Sequence, residues 1–220
     1  MNTPQRTIEE VRRLASPVPT PQALAWHKGT LWIGSRDERR LVGVDPREWT
    51  VVEEADAPGI PWSAVARGDG LTLVLGEGAE DDRYLRRFGP REGFDPGYRV
   101  PVPEMTGSYL SSDQAGNLFL SQWYNHRVLQ LAEDGTAVRT IDVEEEICGH
   151  TFVGDHLYIL RGTEQNGESW RLARLDPRED RPTIEDVAQI PFACRSLGYD
   201  GVHFWTNHRA RHETVCFARP

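Results

Sequence analysis

Five times along this chain a small turn residue, or its close neighbour, is followed by a β-rich run: GTLWIGS (29–35), GLTLVLG (70–76), GNLFLSQ (116–122), DHLYILR (155–161) and GVHFWTN (201–207). Successive copies begin about 40 to 46 residues apart, and self-similarity at a fixed period constrains a fold more than any single motif does. Each copy is preceded by a short apolar strand: ALAW (23–26), SAVA (63–66), SYLS (108–111), TFV (151–153) and RSLGY (195–199). Each is followed, after a polar loop, by a third: LVGVDP, YLRRFGP, RVLQLAEDG, WRLARLDP and ETVCFARP. The DP, GP and DG endings are turn signals. Four units add a fourth strand in WTVVEEA, YRVPVP, AVRTIDV and IEDVAQI, whereas the fifth runs to Pro220 without one. The stretch TIEEVRRLA (7–15) has the look of those fourth strands and stands as donor for the missing one.

Four short antiparallel strands per unit at this period describe a β-propeller blade. The expectation is an all-β chain: a five-bladed β-propeller of four-stranded antiparallel blades, its last blade closed by the N-terminal strand so that no long edge is left unpaired. The blades are expected at 22–58, 59–104, 105–146, 147–193 and 194–220 plus 7–15, in one domain over 1–220. A stack of helical repeats is excluded by the period-2 patterns.

Composition narrows the function classes. With 220 residues, 38% hydrophobic, and a net charge of -9, the chain suits one soluble globular domain, expected to be a monomer. Apolar runs fall short of the roughly 20 residues of a membrane span, and MNTPQRTIEE lacks the pattern of a signal peptide, so the expectation is a cytoplasmic protein without a membrane partner. The acidic balance disfavours nucleic acid. Cys148, Cys194 and Cys216 form no CxxC pair, which points to reduced thiols.

The third unit, SYLSSDQAGNLFLSQWYNHRVLQLAEDG, resembles an NHL repeat, with its D-x-x-G-N-L and N-x-R-V signatures. The first unit, QALAWHKGTLWIGSRDERRLVGVDP, is similar to blades of the gluconolactonase family and of plant-type glutaminyl cyclases, the latter being five-bladed. The resemblance implies the propeller architecture over the whole chain. It implies a metal-binding glutamate leading into the first inner strand for the lactonases, where this chain has Pro21-Gln22, and a catalytic glutamate after the second strand for the cyclases, where it has Gly34.

In a propeller the innermost strands line a central channel, and ligand sites collect on the face built by the loops into those strands and the loops between second and third strands. Aligning the repeats puts Gln22, Ser63, Ser108, His150 and Arg195 at the starts of the inner strands. The second loops bring Arg36 and Asp37, then 77–82, 122–126, 161–166 and 207–212. Unlike residues at equivalent positions favour one asymmetric pocket over repeated lectin-like sites. The chemically richest segments are ICGHTF (147–152) and FACRSL (192–197), which nominate His150 as acid or base, Arg195 as anion anchor and Cys194 as nucleophile. Gln22, Arg36, Trp62, Ser63, Ser108, Trp123, Tyr124, Arg161 and His208 are nominated as substrate-binding residues. Cys148, His150 and Cys194 are the candidate ligands for a metal; no cofactor is strongly indicated, and a divalent or soft metal is the class left open. Asn125-His126-Arg127 marks the return into a third strand, matching ERRLVGV, DRYLRRF and SWRLARL.

Three functions fit. An enzyme of lyase, cyclase or hydrolase type acting on a small anionic molecule is placed ahead of a non-catalytic protein- or metabolite-binding propeller, with a metal- or thiol-handling protein third.

Overall fold

A computed structural model describes residues 6–165 and 167–220; Asn166, in one of the second loops named above, lies outside the described residues. Strand β1 (Glu10–Ala15) is followed by β2 (Pro21–His27), β3 (Thr30–Ser35), β4 (Arg40–Asp45) and β5 (Thr50–Asp56), which form the first blade. The second blade comprises β6 (Ile60–Arg67), β7 (Gly70–Glu77), β8 (Asp82–Gly89) and β9 (Gly93–Pro101). The third comprises β10 (Tyr109–Ser112), β11 (Leu118–Gln122), β12 (Arg127–Leu131) and β13 (Ala137–Asp142). The fourth comprises β14 (Glu146–Val153), β15 (His156–Thr163), β16 (Ser169–Leu175) and β17 (Glu185–Ile190). In the fifth, β18 (Arg195–Tyr199), β19 (His203–His208) and β20 (Glu213–Ala218) are completed by β1 in the sheet order β1-β20-β19-β18. The protein is a five-bladed β-propeller of four-stranded antiparallel blades closed by its N-terminal strand.

The blades are built from hairpins whose turns the sequence supplies. Between β2 and β3, Lys28 (φ 48°) and Gly29 (φ 85°) both lie in the left-handed region, the signature of a two-residue turn whose twist matches the flanking strands. Inner strands pack side by side in the order β2, β6, β10, β14, β18 and back to β2, which closes the ring. Apolar side chains then fill the spaces between neighbouring sheets. One cluster joins the first two blades through Trp32, Leu73 and Phe88, and another joins the last two through Leu160, Trp170, Phe204 and Phe217. Outermost strands carry little of this load: β5 is exposed along nearly its whole length.

Closure involves more than one strand. Antiparallel pairing runs from Arg12 opposite Cys216 to Ala15 opposite Glu213. Upstream of it, the Ile8 amide donates to the Gln189 carbonyl at 3.0 Å and the Gln189 amide to the Arg6 carbonyl at 2.8 Å, so the same segment also grips the outer strand of the fourth blade. Ile8 is buried in the seam between the fourth and fifth blades. On the other side, Ser196 Oγ donates to the Gln22 carbonyl at 2.5 Å, tying β18 to β2.

The ladder also revises the repeat alignment. In β2, β6 and β14 the register slips at Gln22, Trp62 and Cys148, each an extra unpaired residue. Gln22 is therefore equivalent to Trp62 and Cys148, not to Ser63 and His150. A bulge adds one residue and re-aims its side chain, which spacing in the sequence does not disclose.

Candidate functional site

At the face where the second loops gather, a cavity of about 230 Å³ is lined by Arg36, Trp62, Arg83, Ser108, Tyr109, Trp123, Tyr124, Glu164, Arg195 and Arg209. All five blades contribute. Arg36 comes from the β3–β4 loop and Arg209 from a 3-10 turn, Arg209–Arg211, between β19 and β20. Trp123 and Tyr124 belong to a similar turn, Trp123–Asn125, which closes at His126 in the left-handed conformation.

Arg195 lies at the start of β18 and is only 3% exposed. Its Nη1 donates to Glu168 at 2.7 Å and to the Cys194 carbonyl at 2.6 Å, and its Nη2 donates to Glu164 at 2.9 Å and to Glu168 at 3.0 Å. The guanidinium stands 5.2 Å from the Trp123 ring centre and 5.6 Å from that of Trp170. Burial, the largest single influence, opposes its charge, but the hydrogen bonds to Glu168 and the attraction of that carboxylate and the other acidic groups around it together hold the pKa above the ordinary arginine value. A buried guanidinium needs such partners, and here the protein supplies them itself.

The remaining arginines differ. Arg83 is bridged to Asp81 at 2.6 Å and donates to the Gly107 carbonyl at 3.1 Å. Arg209 has no carboxylate partner among the described residues; its Nη1 donates to Gln22 Oε1 at 2.8 Å, a neutral contact. Burial, followed by the charges of Arg195 and Arg36, pulls its pKa below the usual value. Arg36 likewise has no ion pair among the described residues and lies over Trp62 at 5.3 Å, with Arg83 at 4.2 Å from the same ring. Gln22 is buried beside these residues: its Nε2 donates to Tyr109 Oη and to the Trp62 carbonyl, both at 3.3 Å. Burial drives the Tyr109 phenol well above its ordinary pKa, so it is held neutral.

Of the residues nominated from the sequence, Arg36, Trp62, Ser108, Trp123, Tyr124 and Arg195 line this cavity, and Gln22 meets it through Arg209. The others lie elsewhere. His150, 1% exposed, sits between the inner strands with Nδ1 2.7 Å from Ser111 Oγ and Nε2 3.1 Å from the Tyr109 carbonyl. Cys194 and Cys148 are wholly buried with their sulfurs 3.5 Å apart, packed among Tyr109, Trp170 and Leu197. Arg161 is held by Asp186 at 2.9 Å. His208 stacks on Phe192, ring centres 5.6 Å apart, and Ser63 Oγ is buried without a hydrogen-bond partner among the described residues. For a metal, no group of three or more His, Cys, Asp or Glu side chains gathers among the described residues.

Four lining residues escaped the sequence reading: Arg83, Tyr109, Glu164 and Arg209. Glu164 and Arg209 fall inside loops already assigned to this face, and the loop segment HRAR, with two arginines beside the histidine, was the available signal for the latter.

No family model matches the chain, and no curated protein matches its sequence. Among solved structures it is similar to the PQQ-bound form of aldose sugar dehydrogenase from Streptomyces coelicolor, at 12% identity and TM-score 0.62 over 99% of each chain. A protein of unknown function from Bacteroides thetaiotaomicron VPI-5482 gives 13% identity and TM-score 0.61, covering 98% of this chain and 72% of that one. Hydrazine synthase of Kuenenia stuttgartiensis gives 11% identity and TM-score 0.58, with 89% and 64% covered. At such identities the likeness is one of fold. As to membranes, no helix among the described residues is long and apolar enough to cross one.

Proposed function

We propose that this propeller binds a small organic anion in the asymmetric cavity on its loop-rich face. The observation that carries the reading is the pair Arg36 and Arg209: two guanidiniums at the cavity, from adjacent blades, with no carboxylate partner among the described residues. Arg195, by contrast, is matched by Glu164 and Glu168 and serves to shape the wall. A carboxylate placed between Arg36 and Arg209 would relieve their mutual repulsion and accept charge-assisted hydrogen bonds.

Binding rather than turnover is favoured by what the lining lacks among the described residues. It contains no imidazole, its one carboxylate is engaged by Arg195, and its buried phenol stays neutral. His150, the residue first nominated for proton transfer, is occupied at both ring nitrogens. Sugar oxidation with PQQ, named for the Streptomyces protein, is not carried over, since the likeness is one of fold.

The test is calorimetric titration of the protein with simple carboxylates and their amides, with Arg209→Gln and Arg36→Gln beside the native chain. Each variant should weaken carboxylate binding about tenfold or more, the loss expected for a charge-assisted hydrogen bond. Equal affinity for a carboxylate and its amide would sink the reading.

A further inference from the structure

The cavity has two unlike sides. Blades five and one present the guanidiniums of Arg195, Arg209 and Arg36, whereas blade three presents Tyr109, Trp123 and Tyr124. Trp62 belongs to neither, because its ring is already attended by the Arg83 and Arg36 guanidiniums at 4.2 and 5.3 Å. Trp123 is half-buried and has the Arg195 guanidinium 5.2 Å from its ring centre, so the uncovered aromatic surface is that of Tyr124. Tyr124 is 82% exposed, a large ring at the cavity rim whose one aromatic neighbour among the described residues is Trp123, with centres 6.4 Å apart and planes inclined by 55°. Trp123 is braced from behind by the edge of Trp170 at 5.4 Å, so the wall that Tyr124 extends is rigid.

An open aromatic ring opposite a cationic pair recognises a ligand that carries flatness at one end and negative charge at the other. We propose that the ligand is an aryl carboxylate, its acid group between Arg36 and Arg209 and its ring against Tyr124. This rests on the anion-binding reading and sharpens it. An inorganic anion or an aliphatic acid would use the arginines and leave the Tyr124 ring uncovered. A cavity of about 230 Å³, below the range of sites for drug-sized ligands, suits one ring rather than a fused system.

The experiment titrates benzoate, cyclohexanecarboxylate and benzamide into the native protein and into Tyr124→Ala, followed by calorimetry. Benzoate should bind the native protein about tenfold more tightly than cyclohexanecarboxylate, the scale of one favourable aromatic contact. It should exceed benzamide by at least as much. In Tyr124→Ala benzoate should lose more affinity than cyclohexanecarboxylate, so that the preference for benzoate disappears. If the two carboxylates bind alike and benzamide does not bind, the aryl assignment is overturned and the anion site stands. If benzamide equals benzoate, or if none of the three binds, the anion reading falls and the aryl assignment falls with it.

Discussion

A carbonyl oxygen can only accept, so the 3.1 Å contact with the Tyr109 carbonyl puts the His150 proton on Nε2, and Ser111 Oγ donates to Nδ1 at 2.7 Å. That is the arrangement of the neutral ring, whereas protonation at Nδ1 would turn the Ser111 hydroxyl from donor to acceptor. Burial, opposed weakly by the carbonyl, lowers the pKa from 6.5 to about 4. The unfolded chain therefore takes up this proton first as pH falls, and the stability held above 6.5 is lost progressively down to about 4. The loss should approach roughly 3 kcal/mol. Urea midpoints measured across that window should fall in the native protein and flatten in His150→Gln; parallel curves would refute it. The thiols make a second prediction at this scale. Burial raises Cys148 well above the ordinary range and Cys216 to about 12, and Cys194 is equally buried. A thiol-reactive chromogen should therefore titrate no cysteine in the folded protein and all three after denaturation. Rapid labelling of the folded state would point back to the thiol-handling function.

At the scale of elements, close approach of inner strands sets tight limits. A Cβ on Gly149 of β14 would come within 2.5 Å of the Ser196 carbonyl carbon and 2.7 Å of the Leu197 nitrogen, backbone atoms of the adjacent β18. Gly149→Ala should cost about 1–3 kcal/mol by overpacking, read as a lower denaturation midpoint with little change in slope. The strands themselves were legible: RSLGY is β18, and TIEEVRRLA contains β1. The recurrent arginine was legible too, since Arg40, Arg83, Arg127 and Arg171 each stand early in a third strand opposite the end of a second. What did not read out was the bulge at Gln22, Trp62 and Cys148, because an unpaired residue leaves the period-2 pattern intact on either side. The candidate site was half legible for a related reason. Repeat alignment located its loops, but which side chain in a loop turns inward depends on 3-10 turns such as Arg209–Arg211, and it was Arg209, not His208, that reached the cavity.

For the whole molecule, the N-terminal segment is a clasp. Removing residues 1–15 would bare the edge of β20 and uncover the seam that Ile8 fills. The truncated protein should self-associate and lose its single cooperative transition, and a synthetic peptide of residues 7–15 should restore both by strand addition. Light scattering and thermal unfolding would follow this; a truncated chain that stays dispersed and as stable as the intact one would contradict the role. The clasp also sets a timetable. Arg13 and Glu213, which meet across it at 2.6 Å, are 200 residues apart in sequence. At a synthesis rate of ~5–20 residues per second, the ribosome delivers the second roughly 10–40 s after the first. Throughout that interval β1 waits without the strand it pairs with, and its edge stays bare until β20 has been made.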